Sequence, residues 1–315
     1  MQKKMSFRAY ALSLAGALAL AACQSGQKIV QVPKPSFLLE HYQSSTIDTN
    51  PRINLVQFKL LSEKPSKRKA EEWMAEEGLS LPAKVFHDGA TTKALRKMQL
   101  SQEFEKDLRS YQASKDKTYY LAHIVEQDNE LLIFYGNAPN EFHTITDVSL
   151  LRVYNKRDKA FTLTLDFNNF GYPPDFIHRE KDFIFEDLLW ARKENSILYV
   201  QNAHWTYAES SKKCTGYLTA LDLSAKNKIL WRSQPMVGNA VNFLDFDRFI
   251  VSAYGFTRED GYLYALDKQT GKVVGSIQLF KSSSSAQKHI SFIIAKGRTI
   301  YVKLGDGTEY QVQVN

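Results

Sequence analysis

Two stretches of this chain, residues 216–231 (GYLTALDLSAKNKILW) and 261–274 (GYLYALDKQTGKVV), follow one pattern. Tyr217 aligns with Tyr262, Leu218 with Leu263, Ala220 with Ala265, Leu221 with Leu266 and Asp222 with Asp267, a period of 45 residues. Such a repeat constrains the fold more than any single residue, because each copy must be a unit that buries its face against the next. Alternation in Tyr-Leu-Tyr-Ala-Leu puts every second side chain on one sheet face. Gly271 is free to take positive φ, so Val273 and Val274 can return as a hairpin partner. Each copy reads as two antiparallel strands.

A further β-rich run precedes each hairpin, at 196–205 and at 248–256, and degenerate copies lie at 298–314 and 130–165. The matched positions Ile133, Tyr199, Val251 and Tyr301 are separated by 66, 52 and 50 residues. Three or four strands in each such interval fit the blade of a β-propeller, where radial stacking hides sheet faces and shortens edges. A β-sandwich with two similar hairpins is the other arrangement considered. The expectation is a mainly β chain with a β-propeller-like array of about four to five blades.

The run Gly-x-Leu-Tyr-Ala-Leu-Asp, the Thr270-Gly271-Lys272 turn and the closing hydrophobic run resemble the repeat of the pyrroloquinoline-quinone-like β-propellers. In that pattern the run closes on Trp; Trp231 fills the place in the first copy and Gly275 replaces it in the second. The resemblance spans roughly residues 130–314 and implies a fold without a chemistry. A quinone enzyme of the family would in many members carry adjacent cysteines, and it needs a calcium site and a full ring of blades. The chain has no Cys-Cys pair and is short for such a ring, so no cofactor and no metal are expected.

The N-terminus carries Lys3, Lys4 and Arg8, then an apolar stretch from 9 to 22, then Cys23. The stretch is short for a membrane span of about 20 residues and has the layout of a secretory signal. Leu20-Ala21-Ala22-Cys23 resembles a bacterial lipobox, which implies a signal peptide at 1–22 and lipidation of Cys23. An ordinary signal with an incidental cysteine is the alternative. Gln24 stands where an Asp would imply retention at the inner membrane, so the resemblance implies an outer-membrane lipoprotein facing the periplasm or the cell surface. The polar, Pro-containing residues 23–50 read as a lipidated tether.

Residues 51–115 read as a strand plus two helices, at 65–78 and 91–112, ahead of the propeller-like domain at 116–315. On the second helix Leu95, Met98, Phe104, Leu108 and Tyr111 fall near one stripe, expected to pack as core. Ile53–Leu60 is expected to join a terminal blade beside residues near 310–314, leaving no open edge.

The formal charge of +7 includes the three basic residues of the leader, so the body is mildly basic without a dense basic run, and nucleic acid is not an expected partner. With Cys23 lipidated, Cys214 has no partner for an internal disulfide and reads as a small buried residue. The seven histidines show no metal-ligand spacing, and no nucleophile elbow or phosphate loop appears. No catalytic residue is assigned. Two aromatic-bearing segments are candidate partner-binding loops: 166–190, with Tyr172, Phe176 and His178, and the hairpin loop with His204, Trp205 and Tyr207. Against them stand an ordinary blade at 182–200 and burial under the neighbouring blade.

The composite expectation is a membrane-anchored, non-enzymatic lipoprotein that binds an envelope protein. It is similar, at the level of fold, to the propeller lipoprotein of the outer-membrane β-barrel assembly machinery. That protein has eight blades and no helical region before them, a departure from the pattern here. The alternative is a periplasmic enzyme or small-ligand binder using the central funnel, marked by acids or histidines converging on inner strands.

Overall fold

The computed structural model describes residues 28–35, 56–66, 104, 107–137, 145, 147–170, 186–204, 213–256, 258–282 and 289–315. Their strands, numbered in chain order, form four sheets. The first runs β1 (Val30–Gln31), β7 (Ala160–Asp166), β6 (Leu150–Asn155), β5 (Glu130–Gly136), β4 (Lys117–Gln127) and β3 (Ser110–Ser114). The second runs β11 (Lys228–Arg232), β10 (Tyr217–Asp222), β9 (Ile197–Ala203) and β8 (Asp187–Glu194). The third holds β12 (Leu244–Asp245), β13 (Phe249–Tyr254), β14 (Gly261–Asp267) and β15 (Val273–Phe280), and the fourth β16 (Ile290–Lys296), β17 (Thr299–Leu304), β18 (Thr308–Val314) and β2 (Phe58–Pro65).

Each sheet is an antiparallel meander, apart from the parallel pairing of β1 with β7 and the addition of β2, from much earlier in the chain, antiparallel to β18. β4 and β5 pack on β8, and β12 and β13 pack on β16, so successive sheets stack as blades. The chain is therefore a mainly β, propeller-like array of four blades among the described residues. Central strands are covered on both faces, which is why β5 reads as the continuous apolar run Leu131–Tyr135, every residue at 0% exposure.

The repeated acid has a local task. Asp222 Oδ1 accepts from the N–H and hydroxyl of Ser224, and Asp267 Oδ1 accepts from the N–H groups of Gln269 and Thr270. Asn155 does the same for Arg157 and Asp158 in the degenerate first copy. A short side chain folding onto the backbone stabilises the turn that follows the strand. This is the physical content of the 45-residue repeat.

The place of the closing tryptophan is used twice, differently. Trp231 pairs with Ala220, and its indole reaches the third blade, lying against Gly271. In the third blade Gly275 pairs with Ala265, and a Cβ there would meet the carbonyl oxygen of Val56 at 2.3 Å. The Val56 N–H donates to the Val274 carbonyl at 3.2 Å, leading directly into β2. Backbone thus takes the space that the indole takes one blade earlier.

The strand expected at 53–60 does join the last blade: β2 lies antiparallel to β18, from Phe58 opposite Val314 to Pro65 opposite Thr308. The pairing runs on to Pro65 across a bulge between Gln311 and Val312, and the Ser66 N–H extends it to the Gly307 carbonyl at 2.9 Å; residues 53–55 lie outside the described ones.

The expectation of two helices is corrected. Residues 110–112, assigned to the second helix, are the start of β3, paired with Tyr120, Tyr119 and Thr118. The spacing Leu108 to Tyr111 that suggested a helical stripe is served instead by helical backbone at Phe104, Asp107 and Leu108 running into an edge strand. Apart from Pro65 and Ser66, which belong to β2 and its exit, the first expected helix lies outside the described residues. The described part of the stripe packs as core: Leu108 is 1% exposed, and Phe104 and Tyr111 join its cluster, while Leu95 and Met98 lie outside the described residues. β1, from the segment read as tether, and β2 and β3, from the segment read as a preceding region, are all built into blade sheets. Among the described residues no helix is long and apolar enough to cross a membrane.

Candidate functional site

Strand register makes the two ends of the blades unlike. At one end the connections are tight: 128–129, 195–196 and 297–298 join paired strands through two residues, each opening on a left-handed residue, Asp128, Asn195 and Gly297. At the other end lie the long connections, 137–149, 167–186, 204–216 and 281–289, beside the short turns 115–116 and 305–307. Loops carry binding where a rigid scaffold positions them.

Two of those long segments are the ones singled out in the sequence, and the structure roots them side by side. Asp187, where β8 begins, pairs with Ala203, where β9 ends. Glu186 is fully buried and accepts from Asn202 Nδ2 and, at 2.9 Å, from Arg232 Nη2. The Arg232 guanidinium lies 3.8 Å from the Tyr217 ring and 5.1 Å from the Phe170 ring. Burial, with the Glu186 charge beside it, pushes the Tyr217 phenol well above its ordinary value. A buried carboxylate is tolerated here because a cation and an amide compensate it. None of Glu186, Asn202, Tyr217 and Arg232 was marked in the sequence; the usable signals were an acid inside the apolar run DFIFEDLLW and a cation directly after the closing Trp231.

The sequence candidates are placed as follows. His204 ends at 7% exposure, its N–H donating to Thr215 Oγ1 at 3.2 Å, and burial pulls its imidazole down to about 4. It forms the root of its loop. Phe170 is fully buried with its ring 5.1 Å from that of Phe167. Tyr172, Phe176, His178, Trp205 and Tyr207 lie outside the described residues, as does Cys23. Within 182–200, the described residues 187–194 form β8, paired with β9 as an ordinary inner blade strand. Cys214 is buried.

The tight-turn end carries a cleft of about 780 Å³ between β8, β12 and β16. Its charged lining is Asp247, which is exposed, and a linked network of Arg192, Glu194, Asp245 and Lys268. Asp245 is bridged by Arg192 at 2.6 Å and by Lys268, which also reaches Glu194 at 2.9 Å. Burial draws the Lys268 ammonium down, but its two carboxylate partners outweigh this and hold it above its ordinary value. Among the described residues no group of three or more His, Cys, Asp or Glu is placed to hold a metal ion.

No family model and no curated protein matches this sequence. Solved structures with a similar arrangement include the computationally designed Ika8 protein, with 9% identity, TM-score 0.37 and coverage of 60% of this chain and 44% of that one. BamB from Moraxella catarrhalis has 11% identity, TM-score 0.33 and coverage of 60% and 56%. The computationally designed Ika4 protein has 11% identity, TM-score 0.33 and coverage of 61% and 88%. The matched part is less than two thirds of the length of Ika8 and of BamB. These values do not place the chain in a family.

Proposed function

We propose that this chain is a membrane-anchored, non-enzymatic lipoprotein whose propeller-like domain binds an envelope partner protein through its long-loop end. The observation that carries the reading is the shared root of two aromatic-bearing loops. Glu186, Asn202, Arg232 and Phe170 fix the bases of 167–186 and 204–216 next to each other, so the two segments that carry Tyr172, Phe176, Trp205 and Tyr207 in sequence leave the described fold side by side. Aromatic residues held on rigid roots are the type that supplies binding anchors. The anchor at Cys23, with the tether after it, and an outer-membrane location complete the proposal on the grounds of the lipobox and Gln24.

The reading is tested by photoreactive residues in intact cells. At Trp205 or Tyr172 they should give one discrete adduct with a single envelope protein, and at Lys226 or Arg298, on the tight-turn end, they should not give that adduct. The same adduct from both ends, or from neither, would contradict the proposal.

One observation favours the second reading, a small-ligand or enzyme site in the funnel: charged residues do converge on the inner strands at the cleft. Each of Asp245 and Glu194 is neutralised by Arg192 or Lys268. The arrangement supports an inter-blade staple. Turnover or tight small-molecule binding lost on Asp247→Asn, with the fold intact, would move the assignment to this site.

A further inference from the structure

We infer that the tight-turn end of the blade array is a membrane-facing surface that docks on anionic phospholipid headgroups. Most acids of this end are engaged in turns or ion pairs at the surface, Glu194 and Glu126 keeping side-chain exposures of 46% and 36%. Asp222 and Asp267 fold onto their own turns, Glu126 pairs with Lys156 at 2.6 Å, Glu130 with Lys193 at 2.6 Å, and Asp245 and Glu194 belong to the Lys268 network. The cations left outside are Arg157, Lys159, Lys226, Arg248, Lys272 and Arg298, every one exposed. Asp128, Asp158 and Asp247 are the exposed acids that face them in no ion pair among the described residues.

These cations come from the turns of all four blades, at 155–160, 223–227, 246–248, 268–272 and 297–298, and so are spread across one end of the array. That distribution fits a charged plane better than a compact acidic ligand. Chain direction agrees. β7 runs from the tight-turn end to the loop end, and β1 lies parallel to it, Val30 opposite Leu165 and Gln31 opposite Asp166. Lys28 and Ile29 therefore approach β1 from the tight-turn side. The inference rests on the lipid-anchored reading, and it deepens that reading by turning the partner-binding loops away from the bilayer. An anionic surface attracts basic segments within about one Debye length, so the contact is sensitive to salt.

The full chain carrying Cys23→Ala, which lacks the anchoring residue, tests the face by itself. It is mixed with phosphatidylcholine vesicles with and without one third phosphatidylglycerol. Sedimentation with the anionic vesicles at low salt is expected, with release at about 0.5 M salt, where the Debye length falls to a few ångströms. The triple change Arg157→Glu, Lys159→Glu, Lys272→Glu should lower the partition coefficient by about a hundredfold or more, each cation near the surface contributing roughly fivefold. The loop-end change Lys281→Glu should leave it within about twofold. Binding that ignores the triple change, including insertion through the leader, or binding of soluble polyglutamate without vesicle binding, overturns the inference. The anchor is read separately, by palmitate-analogue labelling of the wild type. Loss of label with retained vesicle binding would reject the lipid and keep the face.

Discussion

The indole Nε1–H of Trp231 donates to the backbone carbonyl of Lys268 at 2.8 Å, tying the second blade to a turn of the third. Gly271 completes the contact: its φ is +68°, and a Cβ would lie 2.4 Å from Trp231 Cε3. Gly271→Ala should therefore add a clash to backbone strain and lower stability by about 2–4 kcal/mol. Gly297→Ala, with φ +60° and nothing within 4 Å, should lose only the strain, about 1–2 kcal/mol. Urea unfolding of both variants checks the difference, and equal losses would deny the indole its packing role.

Closure of the fourth blade depends on the backbone of Val56 passing over Gly275. Gly275→Val should force Val56 away, release β2 from β18 and raise hydrogen exchange across 308–314 while exchange in β5 stays unchanged. Unchanged protection of both segments would mean that the passage over Gly275 is dispensable.

The pair Glu186 and Arg232 should behave as a buried ion pair does. Arg232→Met alone strands a carboxylate and should cost about 3–5 kcal/mol, whereas Glu186→Leu combined with Arg232→Met should recover most of that loss. Denaturant midpoints of the two variants check this, and equal destabilisation would contradict it.

Stability should fall in mild acid. His123 is stacked on Phe134 with ring centroids 4.0 Å apart, and burial, only partly opposed by a hydrogen bond to the Leu189 backbone, pulls it down to about 3. His204 is pulled down to about 4. Both remain neutral in the folded state while the unfolded chain takes up protons below about 6.5. The stability from neutral imidazole is thus present above pH 6.5 and lost progressively as pH falls toward 4 and 3. His123→Gln should flatten the pH dependence between pH 6 and 4 by up to about 1.4 kcal/mol per unit. An unchanged slope would assign the acid sensitivity elsewhere.

The blades were legible where local chemistry repeats. The alternation in Tyr217–Leu221 and Leu263–Leu266, with Asp222 and Asp267 closing each strand, is enough to define β10 and β14. The run 130–136 likewise announces β5. The edge strands β1 and β3 were not legible. β1 has two residues, and β3, the polar SYQAS, follows helical-looking spacing and is fixed by pairing with Tyr119 and Tyr120 rather than by its own pattern. The helical reading of 91–112 overran for the same reason. Glu186 and Arg232 are 46 positions apart, and nothing local to either marks the other. His204 shows the limit from the other side: its aromatic neighbours left exposure and burial both open, and the Thr215 contact places it in the root of the loop.

The central claim is that the long-loop end holds the partner and that the cleft does not act on a substrate. Residues 171–185 can be replaced by a short Gly-Ser linker, leaving Glu186 and Phe170 in place, and the variant compared with Arg192→Gln combined with Asp247→Asn. Co-purification of the envelope protein trapped from Trp205 is the quantity measured, alongside the unfolding midpoint of each variant. The account predicts that the loop replacement abolishes co-purification with little change in midpoint, and that the cleft variant keeps it. Retention after loop replacement, or loss caused by the cleft substitutions in a folded protein, would contradict the account.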